Sequence, residues 1–436
     1  MFEGKHSKLK IFLVFFTVFV NSIELFREPF EFYLSYVVMI LFLPPLFNKH
    51  GIKPISMVMA LFAFLFINGI VQIANGNNTP ALFFKIIFGV MFSYIFYYLV
   101  VAEAEFNVKK LFDLYLKGCY IVSVIGIIQF IGFLIKVPVL YDYGWLLNLW
   151  GIVRGGNFGI RINSVFPEPT FFATSISAAV FVAIHNFLTK ENYFFTKFEG
   201  LIIIIAYLLS YSGVGYMGLF VILLLIFMNY GFIRYLVVFL PLFVLLFYQL
   251  YQNVPEFKDR YDSGVELATT GKFKIGKTHG SSLILYNNFQ VALKNFENYP
   301  LGTGLGSHPI AFKKYSLTKD IKIAGIDGNG MDANSMFNRL LSETGVIGVG
   351  LFFLLIVKGF VKRNTAIPVN SSYWIISNAT LTLILLNLLR QGHYFLNGFP
   401  LLVWIYYYNR QNYLRELDTL DQIPTPPPVG NELANV

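Results

Sequence analysis

Residues 197–230 read KFEGLIIIIAYLLSYSGVGYMGLFVILLLIFMNY, with no charged side chain between Gly200 and Tyr230. An average helix of a soluble protein runs about 10–14 residues, whereas crossing the hydrocarbon interior of a bilayer takes about 20 apolar ones. The polar turn around Ser210-Tyr-Ser-Gly213 divides the stretch into two apolar runs, 197–211 and 213–230, which predict a helical hairpin in lipid.

Outward from this hairpin the same pattern recurs. The predicted spans are 9–26, 32–47, 54–74, 81–101, 111–135, 169–189, 197–211, 213–230, 232–251, 335–360, 371–389 and 391–409. The last two read as another hairpin. The second span is short and carries Pro44-Pro45, so a break is expected there, where proline removes a helix hydrogen bond. Hydrophobic residues make up 56% of the 436-residue chain and charged ones only 13%, with mean hydropathy +0.61. A soluble domain carries about 25% charged residues. So few charges cannot cover a surface in water, and the fold class expected is an all-α, polytopic membrane bundle of about 12 transmembrane helices.

The net charge of +9 reads as the basic loop bias of membrane proteins, with no nucleic-acid partner implied. With the N-terminus inside, Lys49, Lys53, Lys109, Lys110, Lys190, Lys197, Arg234, Lys358, Lys362 and Arg363 are inside too. The short loops opposite keep only Arg27 and Arg390. This asymmetry predicts cytoplasmic termini and two large loops, 136–168 and 252–334, on the outer face. Residues 1–410 then form a single membrane domain, and the Pro-rich 411–436 a disordered cytoplasmic tail. The basic, apolar N-terminus reads as a retained first helix, since no small-residue cleavage site follows. The lone Cys119 excludes an intrachain disulfide.

Gly271-Lys-Phe-Lys-Ile-Gly-Lys-Thr278 formally matches a phosphate loop. That mechanism needs a buried strand before the loop and a helix after it. Residues 265–270 make a poor strand, so no nucleotide is expected. What remains is a basic cluster of Lys272, Lys274 and Lys277, open to phosphate or an acidic glycan, or simply solvated.

Three constellations carry possible chemistry. The first is Arg154-Gly-Gly-Asn-Phe-Gly-Ile-Arg161-Ile-Asn-Ser-Val-Phe-Pro-Glu168-Pro-Thr-Phe-Phe-Ala173. Glu168 before Pro169 suits a helix start, where a carboxylate meets the positive end of the dipole. It also suits a site at the bilayer edge that orients or deprotonates a hydroxyl, with Arg154 and Arg161 offering forks matched to phosphate. The second joins the glycine-rich Gly302-Thr-Gly304-Leu-Gly306-Ser-His308 to the stretch from Asp327 to Gly348. There Asn334 or Ser335 is expected to cap a helix, with Asn334, Asn338 and Arg339 facing the outer surface. Glu343 lies deeper and calls for Arg339, four residues earlier, as its partner. That pair reads either as structural or as support for an anion site. The third is Arg390-Gln-Gly-His393-Tyr394, where a lone outer arginine opposes the charge bias. No His or carboxylate cluster has metal-ligand spacing, and no metal or cofactor is expected.

These segments resemble the bacterial O-antigen polymerase (Wzy-type) family and, more distantly, the O-antigen ligases. The likeness rests on Arg161 to Ala173, on Leu209-Ser-Tyr-Ser-Gly213-Val-Gly215, and on Gly302-Thr-Gly304-Leu-Gly306 with Asn334-Ser335 and Glu343-Thr-Gly345-Val-Ile-Gly348. It covers roughly residues 150–360. The resemblance implies a metal-independent, lipid-donor (GT-C-like) glycosyltransferase of the bacterial inner membrane. Such an enzyme joins oligosaccharide repeats carried on undecaprenyl pyrophosphate at the periplasmic face, into O-antigen or a related surface polysaccharide. A chain-length regulator protein is an implied partner. It further implies pyrophosphate binding by Arg161, Arg154, Arg260, Asn334, Arg339 and Arg390, catalysis by Glu168 with Arg161, and support from Glu343 and His393. The ligases have a histidine where this chain has Ala333, which favours a polymerase. A ligase and a lipid-linked oligosaccharide flippase are the alternatives.

Overall fold

The computed structural model describes all residues except 1–4, 27–30, 53–55, 156–158, 190–191, 232–235, 254, 275, 320–327, 368–369, 397 and 422–436. It is helical apart from two short ribbons. In chain order it comprises α1 (Lys5–Phe19), β1 (Glu24–Phe26), β2 (Phe32–Tyr33), α2 (Leu34–His50), α3 (Ser56–Ala74), α4 (Pro80–Glu103) and α5 (Val108–Leu134). Then follow α6 (Pro138–Tyr141), β3 (Val153–Arg154), β4 (Ile160–Arg161), α7 (Pro169–Leu188), α8 (Lys197–Leu209), α9 (Gly213–Tyr230) and α10 (Leu236–Asn253). The chain closes with α11 (Pro255–Thr270), α12 (Gly280–Asn298), α13 (His308–Tyr315), α14 (Met336–Gly359), α15 (Asn370–Arg390) and α16 (Phe399–Asp421).

Each of the twelve apolar stretches contains a helix. Among the described residues six helices are long and apolar enough to cross a membrane: Pro80–Glu103, Val108–Leu134, Pro169–Leu188, Gly213–Tyr230, Met336–Gly359 and Ser372–Arg390. A bilayer is therefore the environment this bundle is built for. α7 and α15 form its centre, with Phe172, Ile176, Phe181, Ile376 and Ile384 buried. Their small and hydroxylated residues, among them Ala178, Ala179, Ser177 and Thr380, let the backbones approach closely, as lipid-embedded helices require.

Three expectations are corrected. α2 runs unbroken through Pro44 and Pro45, with its C-terminal end held by an ion pair from Lys49 to Glu103 at 2.8 Å. α16 starts at Phe399 and continues to Asp421, so the described residues of 391–398 lie outside any helix, and 411–421 belong to a helix rather than to the expected disordered tail. That extension is anchored, since Asn412 donates to the Phe106 carbonyl at 2.8 Å and Lys109 pairs with Glu416 at 3.5 Å. Residues 422–436 lie outside the described residues. The long loop 252–334 is itself largely helical, holding α11, α12 and α13. The phosphate-loop match, whose Ile275 is not among the described residues, follows helix α11 and no buried strand, which agrees with its rejection.

The feature that organises the loop end of the bundle is a break in α14. Gly345 adopts φ 59°, ψ −153°, which splits the helix. The break leaves the Ser342 and Glu343 carbonyls without their helical partners. Thr303 N–H donates to Ser342 O at 3.2 Å and Gly304 N–H to Glu343 O at 2.8 Å, while Val346 N–H returns a bond to Pro300 O at 2.9 Å. Asn295 adds a bond to Ser342 O at 2.9 Å. The glycine-rich turn is thus docked against the broken helix. Gly302, Gly304 and Gly306 all have φ near +80°, and a Cβ on Gly302 or Gly345 would overlap the facing backbone.

Gly345→Ala should therefore lower stability by at least about 1–3 kcal/mol, the cost of forcing a side chain into such a backbone conformation. Gly264→Ala, on α11 with open space around it, should be neutral or slightly stabilising. Thermal unfolding of the two variants in detergent measures the contrast.

Candidate functional site

The segment entering α7 is fixed from below by a buried amide. Gln129, near the C-terminal end of apolar α5, accepts from Asn163 N at 3.1 Å and Ser164 N at 2.9 Å, and donates to Asn163 Oδ1 at 2.9 Å. Asn163 in turn donates to Phe166 O at 2.8 Å, and Ser164, at φ 52°, donates to Val122 O at 2.7 Å. This clamp turns the chain sharply before the helix and sets both ends of the motif. At one end Arg161 lies on β4, half-buried, donating from Nε to Ser210 O at 3.3 Å. At the other, Glu168 is the exposed N-cap of α7, with Pro169 in the first turn and no side-chain cap bond. Gln129 was not singled out in the sequence, although a lone amide in an apolar span was the available signal.

The Ser210 turn joins α8 to α9. Beside it stands Arg260 of α11, whose Nη1 is 3.3 Å from where a Cβ on Gly213 would be. Glycine at 213 thus makes room for a guanidinium. Arg260 also donates from Nε to His279 Nε2 at 3.3 Å. Arg161 and Arg260 both act electrostatically on Tyr216 of α9. Arg260 acts as well on Arg390 at the end of α15, together with Asp332 and Glu168. The buried Nη1 of Arg390 has no hydrogen-bond partner among the described residues.

The structure therefore brings Arg161, Arg260 and Arg390 to one end of the bundle with Glu168 nearby. Like charges held this close are costly without an anion between them. Of the other expected residues, Arg154 is exposed on β3, in the ribbon where Val153 faces Arg161 and Arg154 faces Ile160. Asn334 and Arg339 do not face outward as expected. They are 7% and 4% exposed, and Asn338 is 3% exposed. Ser335, rather than Asn334, caps α14, accepting from Asn338 N at 3.3 Å.

Arg339 and Glu343 do pair, at 2.9 Å, fully inside the protein. Arg339 Nη1 donates to Gly392 O at 2.8 Å, its guanidinium lies 4.6 Å from the Tyr394 ring, and Tyr394 donates to Glu343 at 2.9 Å. The helix face was misjudged because the partners, Gly392 and Tyr394, come from a distant turn. This ion pair is structural, whereas Arg161, Arg260 and Arg390 lie at the end of the bundle.

Asp332 and His393 complete the end face. His393 Nε2 stands 3.3 Å from Asp332 Oδ2, an ion pair when the ring is protonated, with both side chains 25% exposed. Burial would raise the Asp332 carboxyl, yet the His393 bond and charge, the Asn334 amide and the Arg339 guanidinium hold it down at about 2. Next to this pair, His308 is buried, with Nε2 3.0 Å from Asn288 Oδ1. Burial first, and the Arg339 charge second, press its pKa down to about 3 against a slight pull from Asp332. Among the described residues no group of three His, Cys, Asp or Glu side chains could hold a metal ion.

Below the arginines, α3, α4, α14 and α16 enclose an apolar groove lined by Leu61, Phe62, Val90, Leu340, Phe352 and Trp404. Leu305, Met336 and Tyr394 border it, so it reaches the turn that carries His393 and Gly392.

Arg339→Ala would strand Glu343 in the interior, and should cost about 3–5 kcal/mol of stability. Arg154→Ala, at an exposed position, should stay within about 0.5 kcal/mol of the parent protein. Thermal melts of both variants decide this. His308 is neutral when folded and takes a proton at about 3, against 6.5 when unfolded. The unfolded state binds more protons between these values, so stability should fall as pH drops below about 6.5, by at most about 1.4 kcal/mol per pH unit from this group. Melting points measured from pH 7 to 5 should drop less in His308→Gln than in the parent.

No family model matches this chain and no curated protein is similar to it, so its chemistry is argued from this geometry.

Proposed function

We propose that this protein is a polysaccharide polymerase of the O-antigen type, joining oligosaccharide repeats carried on a polyprenyl pyrophosphate at the outer face of a bacterial inner membrane. The observation that carries the proposal is the convergence of Arg161, Arg260 and Arg390, from three segments far apart in sequence, at one end of a membrane bundle. A pyrophosphate leaving group needs cations where its charge develops, in a setting that water screens poorly. Guanidinium forks match its oxygens, and the donor arrives already activated, so positioning and charge stabilisation make up most of the task.

In this reading all twelve helices cross the bilayer and both termini are cytoplasmic. The arginine end then faces the periplasm. Lys10, Lys49 and Lys109 make their ion pairs at the opposite end, as the basic bias of cytoplasmic loops requires. Glu168, exposed beside Arg390, orients the acceptor sugar. The groove of α3, α4, α14 and α16 suits the polyprenyl tail, whose isoprene units need an apolar lining continuous with lipid.

Arg161→Ala, Arg260→Ala and Arg390→Ala should each abolish long glycan chains while the protein remains in the membrane. Each lost contact with developing charge is worth about 100–1,000-fold in rate. Ladder-length polysaccharide from all three variants would remove the site. A deletion strain distinguishes the activities. Single repeat units on the lipid core identify a polymerase, a bare core a ligase, and lipid-linked units retained on the cytoplasmic side a flippase.

A further inference from the structure

We propose that His393, oriented by Asp332, is the general base that takes the proton from the acceptor hydroxyl. This rests on the polymerase reading and adds to it the group that moves the proton. Glu168 is the obvious carboxylate, but it stands exposed with no side-chain bond to hold it. The Asp332–His393 pair is held from several sides. Asp332 Oδ1 accepts the Asn334 amide at 3.0 Å, and its Oδ2 lies 3.3 Å from His393 Nε2. The His393 ring lies 6.1 Å from the Phe171 ring, in the first turn of α7, three residues after Glu168.

The pair is not needed to hold its two segments together. Gly392 packs so tightly on the Asp332 carbonyl that a Cβ there would overlap it. Ser335 donates to Leu388 O at 2.7 Å, and Arg339 donates to Gly392 O at 2.8 Å. With the backbones already locked, a quarter-exposed histidine and carboxylate at the arginine end are free for chemistry. Orientation by a carboxylate is also how a histidine base is prepared. The acid fixes the tautomer by taking one N–H, and steadies the imidazolium that forms. With Nε2 turned toward Asp332, Nδ1 is the atom left to take the proton. Asp332 itself is too acidic at about 2 to serve as the base.

The charged groups around His393 are Asp332 from the turn before α14, Arg339 of α14, Arg390 at the end of α15 and Glu168 at the start of α7. Arg339 is neutralised by Glu343, which leaves Asp332 as the charge in direct contact. In the step, the acceptor oxygen forms a bond to the donor's anomeric carbon as its proton passes to His393 Nδ1. The bond from that carbon to the pyrophosphate oxygen breaks. Its electron pair leaves with the lipid pyrophosphate, beside Arg161, Arg260 and Arg390. The imidazolium then releases its proton to solvent.

The test uses the full-length protein in liposomes with a lipid-pyrophosphate-linked repeat unit, and follows chain growth against pH. His393→Gln should slow elongation by about 100–10,000-fold and remove the acid limb of the pH–rate profile. Asp332→Asn should keep the limb but slow elongation, since the ring loses the group that orients it. A merely structural pair would lower the yield of folded protein and leave the limb in place in the protein that remains. Parent-like rates and profiles in both variants would overturn the assignment, as would loss of the limb in Glu168→Gln but not in His393→Gln. A parent protein that leaves the lipid-linked glycan unchanged would overturn the polymerase reading itself, and the base assignment with it.

Discussion

In lipid, a backbone carbonyl that loses its helical partner has no water to turn to. The break of α14 at Gly345 creates that problem, and the turn 300–304 answers it with the Thr303 and Gly304 amides. Much else at this end follows from the arrangement. Gly306 is pressed on the Leu82 carbonyl of α4, and Asn78 bonds the Leu305 carbonyl at 2.9 Å, so the same turn ties α14 to the beginning of α4. The turn also leads directly into His308 and α13. A loop that would otherwise wander over the bundle becomes part of its frame.

On that frame the protein handles two kinds of charge differently. Arg339 and Glu343 are sealed inside, each satisfied by the other and by Tyr394 and Gly392. Burying ions in this way costs desolvation and is repaid only by complete pairing. Arg161, Arg260 and Arg390 stand together instead, half-buried, with Asp332 and Glu168 acting on Arg390. The first group specifies packing. In the proposed function the second is what an anionic pyrophosphate would meet.

The apolar helices were legible in the sequence because apolar length alone reports them, whereas the polar α11, α12 and α13 were read as loop. The hairpin α8–α9, the start of α7 at Pro169 and the pairing of Arg339 with Glu343 all followed from local rules. What was illegible depended on partners far along the chain. Residues 411–421 looked like tail because they are polar, yet Asn412 and Glu416 find partners at Phe106 and Lys109. Gly302 to Gly306 looked flexible because the carbonyls that capture the turn appear only when Gly345 breaks another helix. Arg339 seemed to face outward because Tyr394, 51 residues beyond Glu343, was out of view. The arginines at 161, 260 and 390 were each visible, but nothing local announced that they meet.

The opposite end of the bundle carries a different implication. Glu103, the last residue of α4, gathers Lys10 of α1 and both Lys49 and His50 of α2. Lys49 precedes it by 54 residues and Lys10 by 93. During synthesis these basic groups therefore emerge long before the carboxylate that will neutralise them. The first two helices must wait, with their basic ends solvated, until the fourth has been made. Only then can the three close into one unit, so the order of assembly is written into the spacing of a single acid from its bases.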